Sequence, residues 1–301
     1  MNKILTIILI ALMISLYGCT RVNETTLVDE NIIIGDISQT RPALEGNIRI
    51  VGIDDFSFFS EDIVSVRGDI FNQGYFSIFD ILVSLDESGQ IHMDYFFDEN
   101  MDTHVIRSIN GMGGWWYVAY YDGGWPERNV FRMDHYPYRD GMTITIIEAG
   151  QQDLESYYDI FRQEVERKVS NDGKTIIPQI TLRGPNIGNL TFEDFIVEPH
   201  NLRSDMLVEG NVTAIDAILT LAEEDLINYT LTWYESIGAA QVVQSYWVER
   251  INEDIASGRC GFVYEAGPWA FAGFRGNHIH IPSDIRIILS PEYLEFYWIC
   301  L

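Results

Sequence analysis

Apolar and polar positions change rhythm several times along this chain, and the changes come in the same order twice. From Asn47 the alternation has period two: Asn47-Ile-Arg-Ile-Val-Gly and Ile63-Val-Ser-Val-Arg read as the strands of a hairpin, with Asp54-Asp55 in the connection. The rhythm then turns helical. Ser77 is followed three positions later by Asp80, and Phe79, Leu82 and Leu85 fall on one stripe. A hydroxyl with a carboxylate at that spacing is a capping-box start: the hydroxyl accepts from a first-turn N–H, and the carboxylate favours the positive helix end. Strand patterns return at residues 91–97, 104–111, 113–120 and 140–147.

The second half runs through the same series. Residues 179–184 and 191–197 predict a hairpin, and Thr213-Ala-Ile-Asp216 opens a second capped helix whose stripe is Ile215, Ile218 and Leu221. Strands follow at 229–234, 246–252, 261–264 and 293–299. Residues 74–85 align without a gap on 210–221, Ile109-Asn110 fits Ile251-Asn252, and Gly114-Trp115-Trp116-Tyr117 falls on Gly261-Phe262-Val263-Tyr264. In the last strand the phase pairs Met142, Ile144 and Ile146 with Leu294, Phe296 and Trp298. Between the copies, Leu154, Tyr157, Tyr158, Phe161 and Val165 sit at helical spacing on a charged background, closed by Asn171-Asp-Gly. One domain used twice is the economical reading. Strands and helices segregated in this way predict the α+β class.

The N-terminus has its own pattern. Met1-Asn-Lys3 is a positive n-region, and residues 4–16 are a largely apolar, uncharged run of 13, the length of a signal-peptide core rather than of a permanent span. It ends in Leu16-Tyr-Gly-Cys19, which resembles the lipobox of bacterial lipoproteins, although Tyr17 stands where a small residue is usual. That resemblance implies cleavage before Cys19 and lipidation of it. Several acyl chains anchor a protein durably, because each buried methylene contributes about 0.8 kcal/mol. The expected organisation is a signal peptide over 1–18, a lipidated polar tether over 19–46, domains over 47–148 and 177–301, and a linker helix within 149–176. Such a protein is extracytoplasmic and lipid-anchored to the bacterial cell membrane.

Composition narrows the class. A chain of 301 residues is long enough for two cores, and 47% hydrophobic residues mark a globular protein. The formal charge of −26 opposes nucleic acid, since phosphate contacts need cations, and an acidic surface keeps a secreted protein soluble.

The hairpin, the [Ser/Thr]-x-x-Asp helix, Ile109-Asn110-Gly111, Gly114-Trp115-Trp116-Tyr117 and Asp140-Gly141 together resemble the transcobalamin C-terminal-like domain, a soluble-ligand-binding member of the β-grasp fold. The second copy keeps Thr213-Ala-Ile-Asp216-Ala217 but has Glu253 for the turn glycine, Phe262 for the tryptophan and Glu292-Tyr293 for Asp-Gly. The resemblance covers nearly all of 47–148 and 177–301. It implies two tandem β-grasp-like domains that bind a small molecule, with a corrinoid as one candidate. The family's cobalamin carriers also use a large helical partner domain, which this chain lacks.

For binding, the tryptophan strand stands out. Trp115 and Tyr117 share one face and Trp116 takes the other, with Tyr120, Tyr121 and Trp125 nearby. Flat rings suit a planar or sugar-like ligand; the competing account is that they fill both sides of a sheet. If this strand carries the ligand, alternation, with one helix per copy covering one face, requires one of the two tryptophans to be exposed. His278-Ile-His280 puts two imidazoles on one strand face but lacks a third ligand at obvious spacing. Asp98-Glu-Asn-Met-Asp102 starts like a calcium loop, yet Thr103 replaces the turn glycine and Ile109 the closing glutamate, so no metal site is expected. There is no nucleophile elbow, His-Glu-x-x-His or phosphate loop, and neither catalysis nor a cofactor is expected.

With Cys19 used, Cys260 and Cys300 remain as a pair in an oxidising compartment. A disulfide between them is expected, against the alternative of two buried thiols. Two functions stay open. One is an anchored binding protein that passes a small molecule to a transporter; the other is an adhesive or structural module that contacts another envelope protein.

Overall fold

The alternation at Asn47 becomes strand β1 (Glu45–Ile50), with Ile48 and Ile50 inside and Asn47 and Arg49 outside. The computed structural model describes residues 32–33, 45–121, 130–237, 242–269 and 281–300. The partner of β1 comes earlier than the pattern predicts. It is β2 (Asp54–Phe59), reached through a tight turn in which Gly52 takes a φ of +80°, a conformation that favours glycine. Asp54 and Asp55 therefore pair with Ile50 and Arg49 instead of forming the connection, and Arg49 grips Asp55 with both guanidinium nitrogens at 2.6 and 2.8 Å. Residues 63–67 form no strand: Ser65 Oγ and Val66 N donate to the Asp80 carboxylate, so the helix start holds that backbone away from the sheet.

After β2 come α1 (Ile78–Glu87), the hairpin β3 (Met93–Asp98) and β4 (Thr103–Ile109), then β5 (Trp115–Tyr121) and β6 (Met142–Glu148). The sheet order is β2-β1-β6-β5, with β1 and β6 parallel and the other neighbours antiparallel. Helix α2 (Gln151–Ser170) follows, where the amphipathic pattern predicts it. The second half supplies β7 (Thr175–Gly184), β8 (Gly188–Val197), α3 (Asp216–Glu223), β9 (Tyr229–Tyr234), β10 (Ser245–Ile251), the short β11 (Asp254–Ile255), β12 (Cys260–Gly267) and β13 (Tyr293–Cys300). Its sheet order, β8-β7-β13-β12 with β7 and β13 parallel, matches the first. The class is α+β.

Individual contacts also recur. Ser77 N and Oγ donate to Asp80 Oδ2 at 2.6 and 2.7 Å, and Thr213 N and Oγ1 donate to Asp216 Oδ2 at 2.6 and 2.9 Å. Ile78 N donates to Tyr136 O, as Ala214 N does to Arg286 O. Asn110 and Asn252 both sit at positive φ and donate backwards to His92 O and Asn228 O at 2.7 and 2.8 Å. The two helix starts differ in one respect. Ser77 completes a capping box, whereas α3 begins only at Asp216 with Ile215 at its N-cap and no side-chain cap, so Thr213 is the entry to a turn and not the cap expected of it.

Strand pairing also corrects the alignment of the last strand. Tyr117 lies opposite Ile146 and Tyr264 opposite Phe296, so Ile146 matches Phe296 rather than Trp298. A slip of two residues keeps every side chain on its face, which is why periodicity does not detect it.

The copies meet along a two-fold seam. Asn72 N donates to Met206 O and Val208 N to Ile70 O, both at 2.9 Å, and Phe71 bridges Leu207. At the spacing of the gapless alignment, Ile70 matches Met206 and Asn72 matches Val208, so each bond is the other with the copies exchanged. Met206, Leu207, Val243, Ile281, Ile285 and Ile287 join the first copy's core, and residues 33–301 form one compact unit.

Candidate functional site

The aromatic strand is packed on both faces. Trp115 is 1% exposed and donates its indole N–H to Met112 O at 2.6 Å. Tyr117 is fully buried, with its hydroxyl on Phe131 O at 2.7 Å and its pKa pushed up by burial. Trp116, on the opposite face, is 4% exposed. The expectation of one exposed tryptophan therefore fails, and α2 is the reason. Its Tyr157, Tyr158 and Phe161 rings lie 4.9, 6.3 and 6.2 Å from the Trp116 ring, while Arg132 stacks on Phe161 at 4.4 Å and pairs with Glu164 one turn further on. Tyr120 is half-buried, and Tyr121 ends β5 opposite Met142. Trp125, Cys19, His278, His280 and the Tyr121 side chain lie outside the described residues.

In each copy a small cleft lies between the second strand of the detached hairpin and the edge strand of the sheet. The first, with His104 and Ile106 on one side and Trp115 and Trp116 on the other, is roofed by Tyr158 and Phe161 of α2. Its counterpart, lined by Trp247, Val248, Phe262, Tyr264 and Phe296 among others, has no helical residue in its wall among the described residues. Each has room for about one ordered water. The Trp247 indole N–H is buried there without an acceptor among the described residues.

Behind each cleft sits a buried charged centre. Arg67, 3% exposed, forks onto Asp69 at 2.9 and 2.7 Å, reaches Asp102 Oδ1 at 2.9 Å and meets Asp134 Oδ2 at 3.2 Å. Asp134 also accepts from Thr103 Oγ1, His104 N and His104 Nδ1. Burial alone would raise its pKa, but the His104 and Thr103 bonds and the charge of Arg67 hold it well below the usual carboxylate range. Burial pushes His135 the other way, down to about 3, so it is neutral at ordinary pH; its Nε2 lies 2.8 Å from Arg67 Nη1. Asp102, the last residue of the calcium-like run, thus spends its carboxylate on Arg67.

In the second copy Arg203 forks onto Asp205 at 2.9 Å through both nitrogens and meets the fully buried Asp284 at 3.0 Å. These centres fasten the hairpin to the rest of the copy and offer no exposed nucleophile or proton donor. A sequence signal existed: Arg67-Gly-Asp69 and Arg203-Ser-Asp205 stand at the same spacing as the two helices.

Cys260 and Cys300 face each other across β12 and β13, with Cα atoms 4.0 Å apart, and are joined by a disulfide. No group of three or more metal-ligating side chains and no helix long and apolar enough to cross a membrane occurs among the described residues. Compared with family models, with curated proteins and with solved structures, the chain matches none.

Proposed function

We propose that this is a lipid-anchored extracytoplasmic protein that uses two transcobalamin-like β-grasp units as a non-catalytic module contacting another protein of the envelope. Two observations support the architecture. Each sheet places its first and last strands side by side and parallel at the centre, and a short helix opened by a hydroxyl–carboxylate pair precedes the detached hairpin. The observation that carries the contact reading is the exposed apolar side chains in and after the last residue of β2: Phe59, Val64 and Val66 are 52, 80 and 39% exposed. Exposed apolar side chains so close along the chain are candidates for an interaction surface. Small-molecule capture, with a corrinoid as ligand, would need a site other than the covered Trp115 and Trp116 rings, which leaves the contact reading ahead.

The test is made in cells. A photo-crosslinking residue in place of Phe59 or Val64 should give one discrete protein adduct, and the same residue at Lys174 should give none. Melting of the purified protein should not move with cobinamide or cyanocobalamin. A saturable rise in melting temperature with either compound, and no adduct, would return the small-molecule reading. Cys19→Ala should leave an uncleaved precursor without acyl chains; normal processing of that variant would remove the anchor.

A further inference from the structure

Five arginines among the described residues are buried, and Arg286 differs from the others. Arg67, Arg132 and Arg203 each hold at least one carboxylate within ion-pair distance, and Arg139 donates to Gln244 O and Ser245 Oγ. Arg286 is 6% exposed and forms no ion pair with any described carboxylate. One Nη donates to Ala266 O at a long 3.3 Å, its Nε has no partner among the described residues, and its guanidinium lies 4.4 Å over the Phe131 ring. Phe131 belongs to the first copy and Arg286 to the second, so this cation lies on the seam.

Nearby hydroxyls do not neutralise it. The Tyr117 hydroxyl donates to Phe131 O and the Tyr293 hydroxyl to Glu265 Oε1. An arginine cannot escape by losing its proton. A buried cation left with one ring and one distant carbonyl is costly, and the usual remedy is a counter-charge in contact with it.

We propose that Arg286 is the cationic wall of a small-anion site on the seam between the two copies, taking chloride or a short monocarboxylate such as formate. A single guanidinium neutralises one charge. Phe131, the wall in contact with the guanidinium, is aromatic, and the strongly acidic chain repels larger polyanions. The planar fork suits either a spherical halide or a carboxylate. This site does not depend on the envelope-contact reading: it concerns what holds the copies together, whatever the protein meets outside.

The purified full-length protein in detergent is melted in sodium chloride, sodium formate and sodium gluconate at one fixed ionic strength. The expected result is a saturable rise in melting temperature with chloride or formate over gluconate, absent in Arg286→Met. Superimposable curves in all three salts, or an unchanged chloride response in Arg286→Met, overturn the proposal. Should Arg286→Met fail to fold, wild-type crystals grown in bromide decide. An anomalous peak within hydrogen-bond reach of the Arg286 guanidinium supports the site, and its absence refutes it.

Discussion

The two buried charged centres share a backbone and differ in almost every side chain around it. Asp102 and Gln244 both adopt a φ near +50°, and their carbonyls accept from Arg67 and Arg203 at 3.1 and 3.2 Å. His104 N and Tyr246 N both donate at 2.9 Å to the buried aspartate, Asp134 or Asp284. Around this frame the first copy has Thr103, His104 and His135 where the second has Ser245, Tyr246 and Ile285. The clamp thus consists of a guanidinium, the aspartate two residues on, one buried carboxylate and one left-handed carbonyl, and the rest varies. The variation is not neutral. Thr103 Oγ1 donates to Asp134, whereas Ser245 Oγ turns to Val243 O and leaves Asp284 Oδ1 without a partner among the described residues.

That asymmetry sets the largest expected effect. Removing one partner of a buried ion pair costs about 3–5 kcal/mol, because the other charge stays behind. After Arg67→Met, Asp134 keeps three donors; after Arg203→Met, Asp284 keeps only Tyr246 N. Arg203→Met should therefore lie at the upper end of that range and Arg67→Met at the lower, read as urea midpoints at pH 7. Equal losses would mean that satisfaction of the aspartate does not decide the cost.

A second contrast concerns the cover. Trp116 is sealed by α2, while its counterpart Val263 lines the cleft that no described helix covers. Trp116→Ala should cost about 3–5 kcal/mol and expose α2 to proteolysis. Val263→Ala removes two methyl groups, about 1.5–2 kcal/mol, with α2 undisturbed. An unchanged melt for Trp116→Ala would put that ring back on the surface.

The histidines oppose each other in pH. His135 has its folded pKa lowered from 6.5 to about 3, so the unfolded chain takes the proton first. Its contribution is complete above about 6.5 and is lost as pH falls towards 3, a few kcal/mol at most. For His200, burial acts downward, but Asp216 and Glu223, at ion-pair distances of 3.4 and 3.2 Å, raise the pKa. Its contribution is complete below about 6.5 and is lost as pH rises through the raised folded value. His135→Ile, the residue the second copy carries, should flatten the acid limb of stability against pH, and His200→Asn the limb above neutrality. An acid limb unchanged in His135→Ile would assign that limb to the carboxylates alone.

Local pattern carried the strand order, the connecting helix and the repeated helix starts, because each is written in periods of two or 3.6. It did not carry β2, which lies at 54–59 rather than 63–67 because a left-handed Gly52 turns the chain early, nor the two-residue register of β13. Burial of Trp116 was beyond it for another reason. Alternation tells which face a ring takes, but not whether a later helix, here through Tyr157, Tyr158 and Phe161, returns to cover that face. The Arg–Asp centres were legible only by comparing the copies with each other, since neither Arg67-Gly-Asp69 nor Arg203-Ser-Asp205 is unusual alone.

The smallest expected effect tests whether the two helix starts are equivalent. Ser77 Oγ accepts from Asp80 N at 3.2 Å and donates to Asp80 Oδ2, while the Ser77 N–H also binds that carboxylate, so both halves of the box are made. In the second copy Asp216 N donates to Thr213 O instead, at 3.1 Å, and the Thr213 hydroxyl serves only as a donor to Asp216. Losing a cap that accepts an orphan N–H costs about 1 kcal/mol, with a range of roughly 0.5–2. Losing a donor to a carboxylate that keeps its Thr213 and His200 backbone bonds should cost less. Ser77→Ala should thus lower stability more than Thr213→Ala, and Ser77→Thr should recover most of the difference. If Thr213→Ala is as costly as Ser77→Ala, the two hydroxyls do the same work, and the shift of the second helix start by two residues is of no energetic consequence.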